Sequence, residues 1–334
     1  MKDRIFIDGN KSTYKGNMHM HTVRSDGRLT PQEIVDEYKN CGYDFIVISD
    51  HEVYWNSDEF DTDSFLVLGG TESSIRMDRD NPWLLEYRPG ISHRAMHLGC
   101  VMDPGYGPEE VFYKHGEWVP RVIDRGLDSW NYAVRMLKEH GNIVFINHPD
   151  WSRTDPELLL GMEGCFAFEI WNSGNVQGCG GTDDSYVWDY MLRRGKKIFA
   201  VAGDDAHGRG PALCMSFTAV QADSFTKQGI VDALKRGSFY ASTGPEFYDI
   251  RIEDDTLKMR FSPARRVEVV AFDGEGKTKY AMDENLLESF EWEIKPNIRY
   301  IRPFITDDKG RTAWAQPIFM NADQPVFSPK PDGR

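Results

Sequence analysis

Short apolar runs that end in a histidine or a carboxylate recur through the first 210 residues of the chain. The run at 45–49 leads into His51, and the run at 143–147 leads into His148. Continuous apolar runs of this length are typical of strands that are buried on both faces. Amphipathic helical patterns separate the runs, which predicts a mostly parallel sheet with right-handed crossover connections. This pattern fits both a closed barrel and an open doubly wound sheet.

Capping residues mark where the predicted helices begin. Thr30 and Glu33 have the spacing of a capping box at the start of the first helix, and Asp128 or Ser129 is the expected cap of a helix over 127–140. Further helices are predicted over 184–194 and 226–236. The predicted strands of this part of the chain are 45–49, 65–68, 95–101, 143–147, 165–171, 198–202 and 215–220.

The pattern of predicted secondary structure changes after Ser242, where short strands follow one another without a helix between them. The segment 257–261 alternates apolar and polar residues, which is typical of an antiparallel sheet with one face buried against the core and the other exposed to solvent. We therefore predict a small C-terminal antiparallel β-sandwich. The predicted domains are an α/β domain over 1–243, the β-sandwich over 244–322, and a Pro-rich tail over 323–334.

Composition narrows the classes of function. The formal net charge is -14, with 53 acidic and 39 basic residues. This charge disfavours nucleic acid as a partner, because binding to a phosphate backbone depends on Lys and Arg. No apolar run is long enough to cross a membrane or to form a signal peptide. The five scattered cysteines include no Cys-x-x-Cys pair, which predicts buried reduced thiols and a cytoplasmic location.

Ionisable residues gather where the predicted strands end. His19 and His21 project to the same side of an extended strand, because strand side chains alternate with a period of two. Asp26 follows them in a Ser-Asp-Gly turn and adds a hard oxygen ligand. Any one of these histidines alone is better explained as an ordinary surface or core residue, but their joint placement favours a site for divalent metals such as Zn, Mn or Fe. The other candidate ligands at or near strand ends are His51, Glu72, His97, His148, Asp205 and His207.

These residues lie in motifs that resemble those of the polymerase and histidinol phosphatase (PHP) superfamily of metal-dependent phosphoesterases. The motifs, in the order of the family, are His19-Met20-His21-Thr22 with Ser25-Asp26-Gly27, Ser49-Asp50-His51, Gly70-Thr71-Glu72, His97-Leu98-Gly99, Asn147-His148-Pro149 and Gly203-Asp204-Asp205-Ala206-His207. The C-terminal region, with Tyr300-Ile301-Arg302 and Ala313-Trp314-Ala315-Gln316-Pro317, resembles the branch named for the carbaryl hydrolases of the CehA/McbA type.

The resemblance implies a distorted (β/α)7 barrel that holds two or three divalent metals. Within the motifs, the Asp-x-His spacing selects Asp205 rather than Asp204, and the Leu-Gly after His97 favours it over His93. The implied ligand sets are His19, His21, Glu72 and Asp205 for one metal; Glu72, His97 and His148 for a second, with Glu72 bridging; and Asp26, His51 and His207 for a third.

The implied chemistry is hydrolysis by a metal-bound hydroxide, with no Ser or Cys nucleophile. Closely spaced dications stabilise the negative charge that builds up when a phosphoester is attacked. His207 or His51 is the candidate for protonating the leaving oxygen. The candidates for holding the substrate anion are Arg24, Arg153 and Arg209, since a guanidinium pairs with phosphate through two hydrogen bonds. Each of the three can equally be a solvated surface arginine.

A phosphoesterase that acts on a small phosphorylated molecule is therefore the leading hypothesis. Hydrolysis of a carboxylic ester or carbamate is the alternative within enzymes, because the same metal site can attack a carbonyl carbon. The alternative outside enzymes is a metal-binding scaffold whose β-sandwich docks a partner or a carbohydrate. The choice of substrate is expected to depend on the irregular segments 87–94, 103–125 and 172–184.

Overall fold

The structure is a computed structural model that describes residues 3–77, 96–272, 274–282 and 284–320. The predicted tail, the segment 87–94 and His93 all lie outside the described residues. The helices are α1 (Pro31–Asn40), α2 (Leu127–Glu139), α3 (Pro149–Ser152), α4 (Pro156–Gly161), α5 (Ser173–Gly178), α6 (Ser185–Arg193) and α7 (Lys227–Arg236).

The described residues also form twenty strands. Those before residue 243 are β1 (Arg4–Ile7), β2 (Tyr14–Asn17), β3 (Phe45–Val47), β4 (Leu66–Leu68), β5 (Gly70–Met77), β6 (Met96–Met102), β7 (Val122–Asp124), β8 (Asn142–Ile146), β9 (Cys165–Asn172), β10 (Phe199–Gly203), β11 (Phe217–Val220) and β12 (Phe239–Ser242). Those after it are β13 (Phe247–Glu253), β14 (Thr256–Ala264), β15 (Arg266–Ala271), β16 (Lys277–Tyr280), β17 (Leu287–Glu293), β18 (Tyr300–Thr306), β19 (Thr312–Ala315) and β20 (Ile318–Phe319).

The strands form three sheets. The largest has ten strands, nine of them in the order β16-β15-β18-β19-β12-β11-β2-β3-β4, with β20 paired to β18. Its strands β2, β3 and β4 are parallel, as the sequence predicts. A six-stranded sheet has the order β10-β9-β8-β6-β5-β7, and a four-stranded sheet has the order β1-β13-β14-β17. The protein is thus a mixed α/β fold in which sheet predominates.

The strands expected to close one barrel are divided between two of these sheets, so the described residues show no closed barrel. The chain passes from the ten-stranded sheet to the six-stranded sheet at Gly69, between β4 and β5. Strand β6 is antiparallel to both of its neighbours, β5 and β8. Isolated bridges join Met20 to Ala206 and His51 to Glu72. The apolar pattern located several of the strands and predicted parallel pairing, which holds for β2 to β4, but it did not show that β6 runs antiparallel or that the strands divide between two sheets.

The separate C-terminal sandwich is not confirmed. Strand β19 pairs with β12, so the C-terminal strands extend the same sheet that contains β2 to β4. Strand β13 pairs with the N-terminal strand β1. Side chains also connect the two parts of the chain, since Arg302 on β18 forms a buried ion pair with Asp189 on α6 at 2.9 Å. A domain boundary at residue 243 stays a prediction.

The N-terminal cap predicted from the sequence is present at α1 but not at α2. Thr30 and Glu33 form the complete capping box. The N-cap residue of α2 is Gly126, which has a φ of 91° and makes no side-chain hydrogen bond to the helix. Asp128 and Ser129 therefore lie inside the first turn and not at the cap. Ser129 still contributes there, because its hydroxyl donates to the carbonyl of Gly126.

The prediction of five buried reduced thiols is wrong for three of them, since two form a disulfide and one is exposed. A disulfide joins Cys41, just after α1, to Cys214, and their Cα atoms are 6.4 Å apart. Neither residue is buried, and 173 residues separate them in the sequence. Cys100 is a buried free thiol, whereas Cys179 is exposed. The cytoplasmic location stays a prediction, and no helix among the described residues is long and apolar enough to span a membrane.

Candidate metal centre

The two histidines after β2 form one wall of a buried cluster. Their Nε2 atoms are 3.2 Å apart, and both side chains are fully buried. Backbone hydrogen bonds align this segment with the loop after β10, since the N–H of His21 donates to Ala206 and the N–H of Asp205 donates to His19. The first and last of the sequence motifs are therefore held side by side.

Glu72, on β5, lies at the centre of the cluster. Its Oε1 is 3.0 Å from Nδ1 of His97 and 3.1 Å from Nε2 of His148. Its Oε2 is 3.1 Å from Nδ1 of His51 and 3.3 Å from Nε2 of His21. One fully buried carboxylate thus faces imidazoles from four parts of the chain.

Asp205 supplies the second carboxylate. Its Oδ1 lies 3.0 Å from Nε2 of His21 and 3.4 Å from Nε2 of His19. Asp205 and His148 both have positive φ angles, 50° and 28°, which non-glycine residues rarely adopt. Such backbone strain persists only where the surrounding structure holds it, and it is concentrated at functional sites.

A third carboxylate, Asp26, lies at the more exposed end of the cluster. Its Oδ2 is 3.4 Å from Nε2 of His207 and 3.7 Å from Nε2 of His51. Its Oδ1 is 3.6 Å from Nδ1 of His21. His21 and His51 therefore each face Asp26 with one ring nitrogen and Glu72 with the other, so they connect the exposed end to the buried centre.

All nine predicted ligands lie in four overlapping groups whose ligand atoms are within 4.8 Å of one another, while the metal that each would hold stays a prediction. The groups are His21, Asp26, His51 and His207; His19, His21 and Glu72; His19, His148 and Asp205; and His51, Glu72 and His97.

Four polar atoms of the cluster are buried and make no well-aligned hydrogen bond to a described residue, although charged neighbours lie 3.0–3.6 Å away: Nδ1 of His21, Nδ1 of His51, Oε2 of Glu72 and Oδ1 of Asp205. Buried polar atoms in folded proteins are nearly always paired, so each of these needs a partner. Imidazole nitrogens and carboxylate oxygens are also the donors that Zn, Mn and Fe accept. The residues present therefore fit divalent metal ions.

The electrostatics of the cluster point the same way. Burial alone would raise the pKa of Glu72, but the surrounding histidines outweigh it and hold that pKa well below its usual range. Burial lowers the pKa of His21, yet the carboxylates of Asp205 and Glu72 beside it overcome this effect and raise that pKa to about 10. A proton on His21 thus offsets part of the buried negative charge, and a dication could take its place.

Glu169, on β9, is a residue of the centre that the sequence analysis missed. Its Oε1 is 2.8 Å from Nδ1 of His19, and its Oε2 accepts the backbone N–H of His148 at 2.9 Å. A side chain at Gly203 would collide with this carboxylate and with His19. The available signal was a single carboxylate within an otherwise apolar strand.

Two asparagines complete the surroundings of the carboxylates. Asn147 donates from Nδ2 to Oε1 of Glu72 at 2.6 Å. Asn172 donates from Nδ2 to Asp205 at 3.2 Å and to Glu169 at 3.0 Å. Hydrogen bonds of this kind orient the carboxylates of a metal site.

Two further aspartates hold the loops that carry the ligands. Asp50 accepts from the backbone N–H of Thr22 at 2.7 Å and from the hydroxyl of Ser25 at 2.7 Å, which fixes the turn before Asp26. Asp204 is fully buried outside the cluster, where it accepts the hydroxyl of Tyr38 at 2.9 Å. The structure thus places Asp205, and not Asp204, among the candidate ligands.

Two of the three arginines predicted to hold substrate are paired with carboxylates. Arg153 pairs with Asp150, and Nε of Arg209 lies 2.6 Å from Glu37 on α1. Their roles toward a substrate stay predictions.

Arg24 differs from them because its partner is an imidazole. Its Nη1 donates to Nε2 of His115 at 2.8 Å, and its guanidinium lies 5.2 Å from the ring centre of Trp55. Of the three arginines, Arg24 is therefore the one whose charge is best available to an anion. Near the same centre, the ring of Trp151 lies 4.9 Å from that of His148.

Comparisons with known proteins give low-identity structural neighbours. No protein family model matches the sequence, and no curated protein matches it. One neighbour is a two-domain protein containing a predicted PHP-like metal-dependent phosphoesterase from Bacteroides vulgatus, with 16% identity, a TM-score of 0.44, and coverage of 94% of this chain and 88% of the other.

Two further neighbours are shorter matches. An amidohydrolase from Chromobacterium violaceum, solved with bound sulfate and no metal, has 14% identity, a TM-score of 0.41, and coverage of 67% of this chain and 96% of the other. A candidate metal-dependent phosphoesterase from Bifidobacterium adolescentis has 16% identity, a TM-score of 0.37, and coverage of 58% of this chain and 88% of the other. All three TM-scores are below 0.5, so the function of this chain has to be argued from its own residues.

Proposed function

We propose that this protein is a metal-dependent hydrolase, and that its substrate is a small phosphoester. The observation that carries the proposal is the set of unpaired, buried donor atoms on His21, His51, Glu72 and Asp205. Buried imidazoles and carboxylates whose facing atoms make no well-aligned hydrogen bond are costly unless cations bind between them. The order of the sequence motifs, which resembles that of the PHP superfamily, supports the same function.

Two or three divalent ions, of Mn, Zn or Fe, would be held by the nine clustered residues and would supply positive charge and an acidified water. The residues of the chain provide the positioning. Glu169 keeps the ring of His19 in one orientation through the 2.8 Å contact at Nδ1. Asp50 keeps the turn that carries Asp26 against the cluster.

His207 is the proposed proton donor to the leaving oxygen. Its side chain is 42% exposed, and its Nδ1 donates to the backbone oxygen of Asp205 at 2.9 Å. That bond keeps a proton on Nδ1, so Nε2 is the atom that exchanges a proton when only two ions are bound and His207 is not a metal ligand. Nε2 faces Asp26 at the exposed end of the cluster, where a substrate can approach.

The phosphate of the substrate is assigned to Arg24, whose guanidinium contacts His115 and pairs with no carboxylate among the described residues. A phosphoester carries formal negative charge that a cation can hold, whereas a carboxylic ester or carbamate does not. This difference favours a phosphoester over the carbonyl substrates that the same centre could hydrolyse.

The test is turnover by the purified, metal-loaded protein. We expect release of para-nitrophenol from para-nitrophenyl phosphate with Mn, Zn or Fe, and at least two equivalents of metal per chain by elemental analysis. Naphthyl esters serve as the carbonyl substrates in parallel. Ester turnover without phosphate release under every metal would reject the phosphoesterase, and fewer than two equivalents of metal without turnover would favour a scaffold.

A further inference from the structure

A cavity of about 390 Å³, separate from the metal centre, opens between the four-stranded and ten-stranded sheets. It is lined in part by Lys15 on β2, Phe217 on β11 and Arg260 on β14, and none of its lining residues belongs to the metal centre. Lys15 precedes His19 by four residues, which is about 13 Å along an extended chain. The cavity therefore lies toward the opposite end of the strand that leads into the metal centre.

The charge of this cavity opposes that of the whole chain. Lys11, Lys15 and Arg260 line it together with a single carboxylate, Glu246, although the chain has a net charge of -14. Lys11 is neutralised by Asp223 at 2.8 Å. Within the described parts of the chain, Lys15 and Arg260 form no ion pair, and Asp249, which lies opposite Arg260 on the neighbouring strand, is paired with Arg251 at 2.5 Å. Neither positive charge is therefore neutralised by direct contact with a carboxylate.

Lys15 is held in place by aromatic rings. Its Nζ lies 4.0 Å from the ring centre of Tyr43 and 5.1 Å from that of Phe217, and its hydrogen bond to the carbonyl of Cys41 is long, at 3.4 Å. Burial lowers its pKa, and the carboxylates of Asp204, Glu246 and Asp44 oppose this effect without outweighing it. A half-buried ammonium with one weak hydrogen bond gains from any anion that reaches it.

Arg260 provides hydrogen-bond donors with a fixed geometry to the same cavity. Its guanidinium lies close to Gly9 and makes no hydrogen bond to a described residue, which leaves its five N–H groups available. Phe217 and the half-exposed Tyr248 supply apolar walls. Glu246 would repel a bare anion but can accept a hydroxyl hydrogen from a ligand that carries one.

We propose that this cavity binds a small oxyanion ligand, a phosphate or carboxylate borne on a short hydroxylated carbon chain. Lys15 and Arg260 hold the oxyanion, Phe217 and Tyr248 cover the carbon chain, and Glu246 accepts the hydroxyl. The volume falls within the roughly 300–1,000 Å³ of small-molecule sites. The proposal goes beyond hydrolysis at the metal centre, because the site is separate and needs no metal.

Isothermal titration of the metal-loaded protein with 2-hydroxyethylphosphonate tests the site, since a phosphoesterase does not cleave the carbon–phosphorus bond. We expect Lys15→Met and Arg260→Met each to weaken this binding about tenfold or more. Lys258→Met is the matched control, because Lys258 lies on the same strand and is paired with Glu253 at 3.0 Å. Lactate, titrated in parallel, shows whether a carboxylate substitutes for the phosphonate.

Glu246→Gln provides a test of opposite sign. Removing the repelling carboxylate should tighten the binding of inorganic phosphate while it weakens the preference for the hydroxylated phosphonate. Arg260 is exposed, so its variant should fold even if that of Lys15 does not, and circular dichroism checks both. Unchanged phosphonate binding in Arg260→Met, or no heat from phosphonate and lactate with the wild type, would overturn the proposal. Neither result would affect turnover at the metal centre.

Discussion

The Nδ1 atom of His19 lies 2.8 Å from Oε1 of Glu169, and both side chains are fully buried. A carboxylate only accepts hydrogen bonds, so this contact keeps a proton on Nδ1. The Nε2 atom then faces Glu72 at 3.2 Å and Asp205 at 3.4 Å with its lone pair free for a metal. Glu169 thus positions a candidate ligand without belonging to the ligand set.

Replacing Glu169 with Gln should lower metal affinity about 10- to 100-fold, the usual effect of removing such a partner. The carboxylate accepts from His19 at one oxygen and from His148 and Asn172 at the other. In the Gln variant, the side-chain NH₂ takes the place of one accepting oxygen. It then faces another hydrogen-bond donor, either the ring N–H of His19 or the N–H groups of His148 and Asn172. Competition with a chelator measures the loss. Glu268→Gln is the control, because Glu268 pairs with Arg266 away from the centre, and equal losses in both variants would contradict the role of Glu169.

Replacing Asp205 with Asn should abolish turnover and reduce bound metal while it leaves the fold intact. The change removes one buried charge and hardly alters volume. Asp204→Asn is the matched control, since Asp204 is the adjacent aspartate and is fully buried, but it contacts Tyr38, Ser173 and Ser216 instead of the histidines. Elemental analysis and circular dichroism compare the two proteins. Full activity in Asp205→Asn would count against its assignment as a ligand.

Asp204 should also make stability depend on pH. Burial raises its pKa from 3.8 to about 6, against the lowering effect of its hydroxyl partners. Between these two pKa values, the folded protein holds a proton that the unfolded chain releases. The contribution of Asp204 to the free energy of unfolding is therefore complete below pH 3.8 and is lost as the pH rises through 6. Between pH 4 and 7, the wild type should lose about 3 kcal/mol relative to Asp204→Asn. Urea unfolding across this range measures the difference, and parallel pH profiles would refute it.

The disulfide between Cys41 and Cys214 should stabilise the fold by about 2–5 kcal/mol, because it closes a long loop in the unfolded chain. Cys41→Ser should therefore unfold at lower urea than the wild type, and a reducing agent should bring the wild type to the same midpoint. Cys179→Ser controls for loss of an exposed free thiol. Identical midpoints with and without reductant would show that the bond does not form in solution.

The side chains of the centre could be read from the sequence, because ligand chemistry is a property of residue type and strand ends are marked by apolar runs. All nine predicted ligands, from His19 to His207, come together in the structure. The capping box at Thr30 is equally local and was predicted correctly. The N-terminus of α2 was not, because Gly126 has no side-chain signal.

Contacts between distant segments depended on tertiary structure. The single Gly69 between two apolar strands does not reveal that the chain changes sheets there. The pairing of Cys41 with Cys214 spans 173 residues and has no spacing motif. The contact of Glu169 with His19 exists only because β9 and β10 bring that carboxylate behind the first histidine, where Gly203 leaves room for it. The sequence by itself determined which side chains are candidate metal ligands, because ligand chemistry depends on residue type, and the packing of the strands decided which groups orient them.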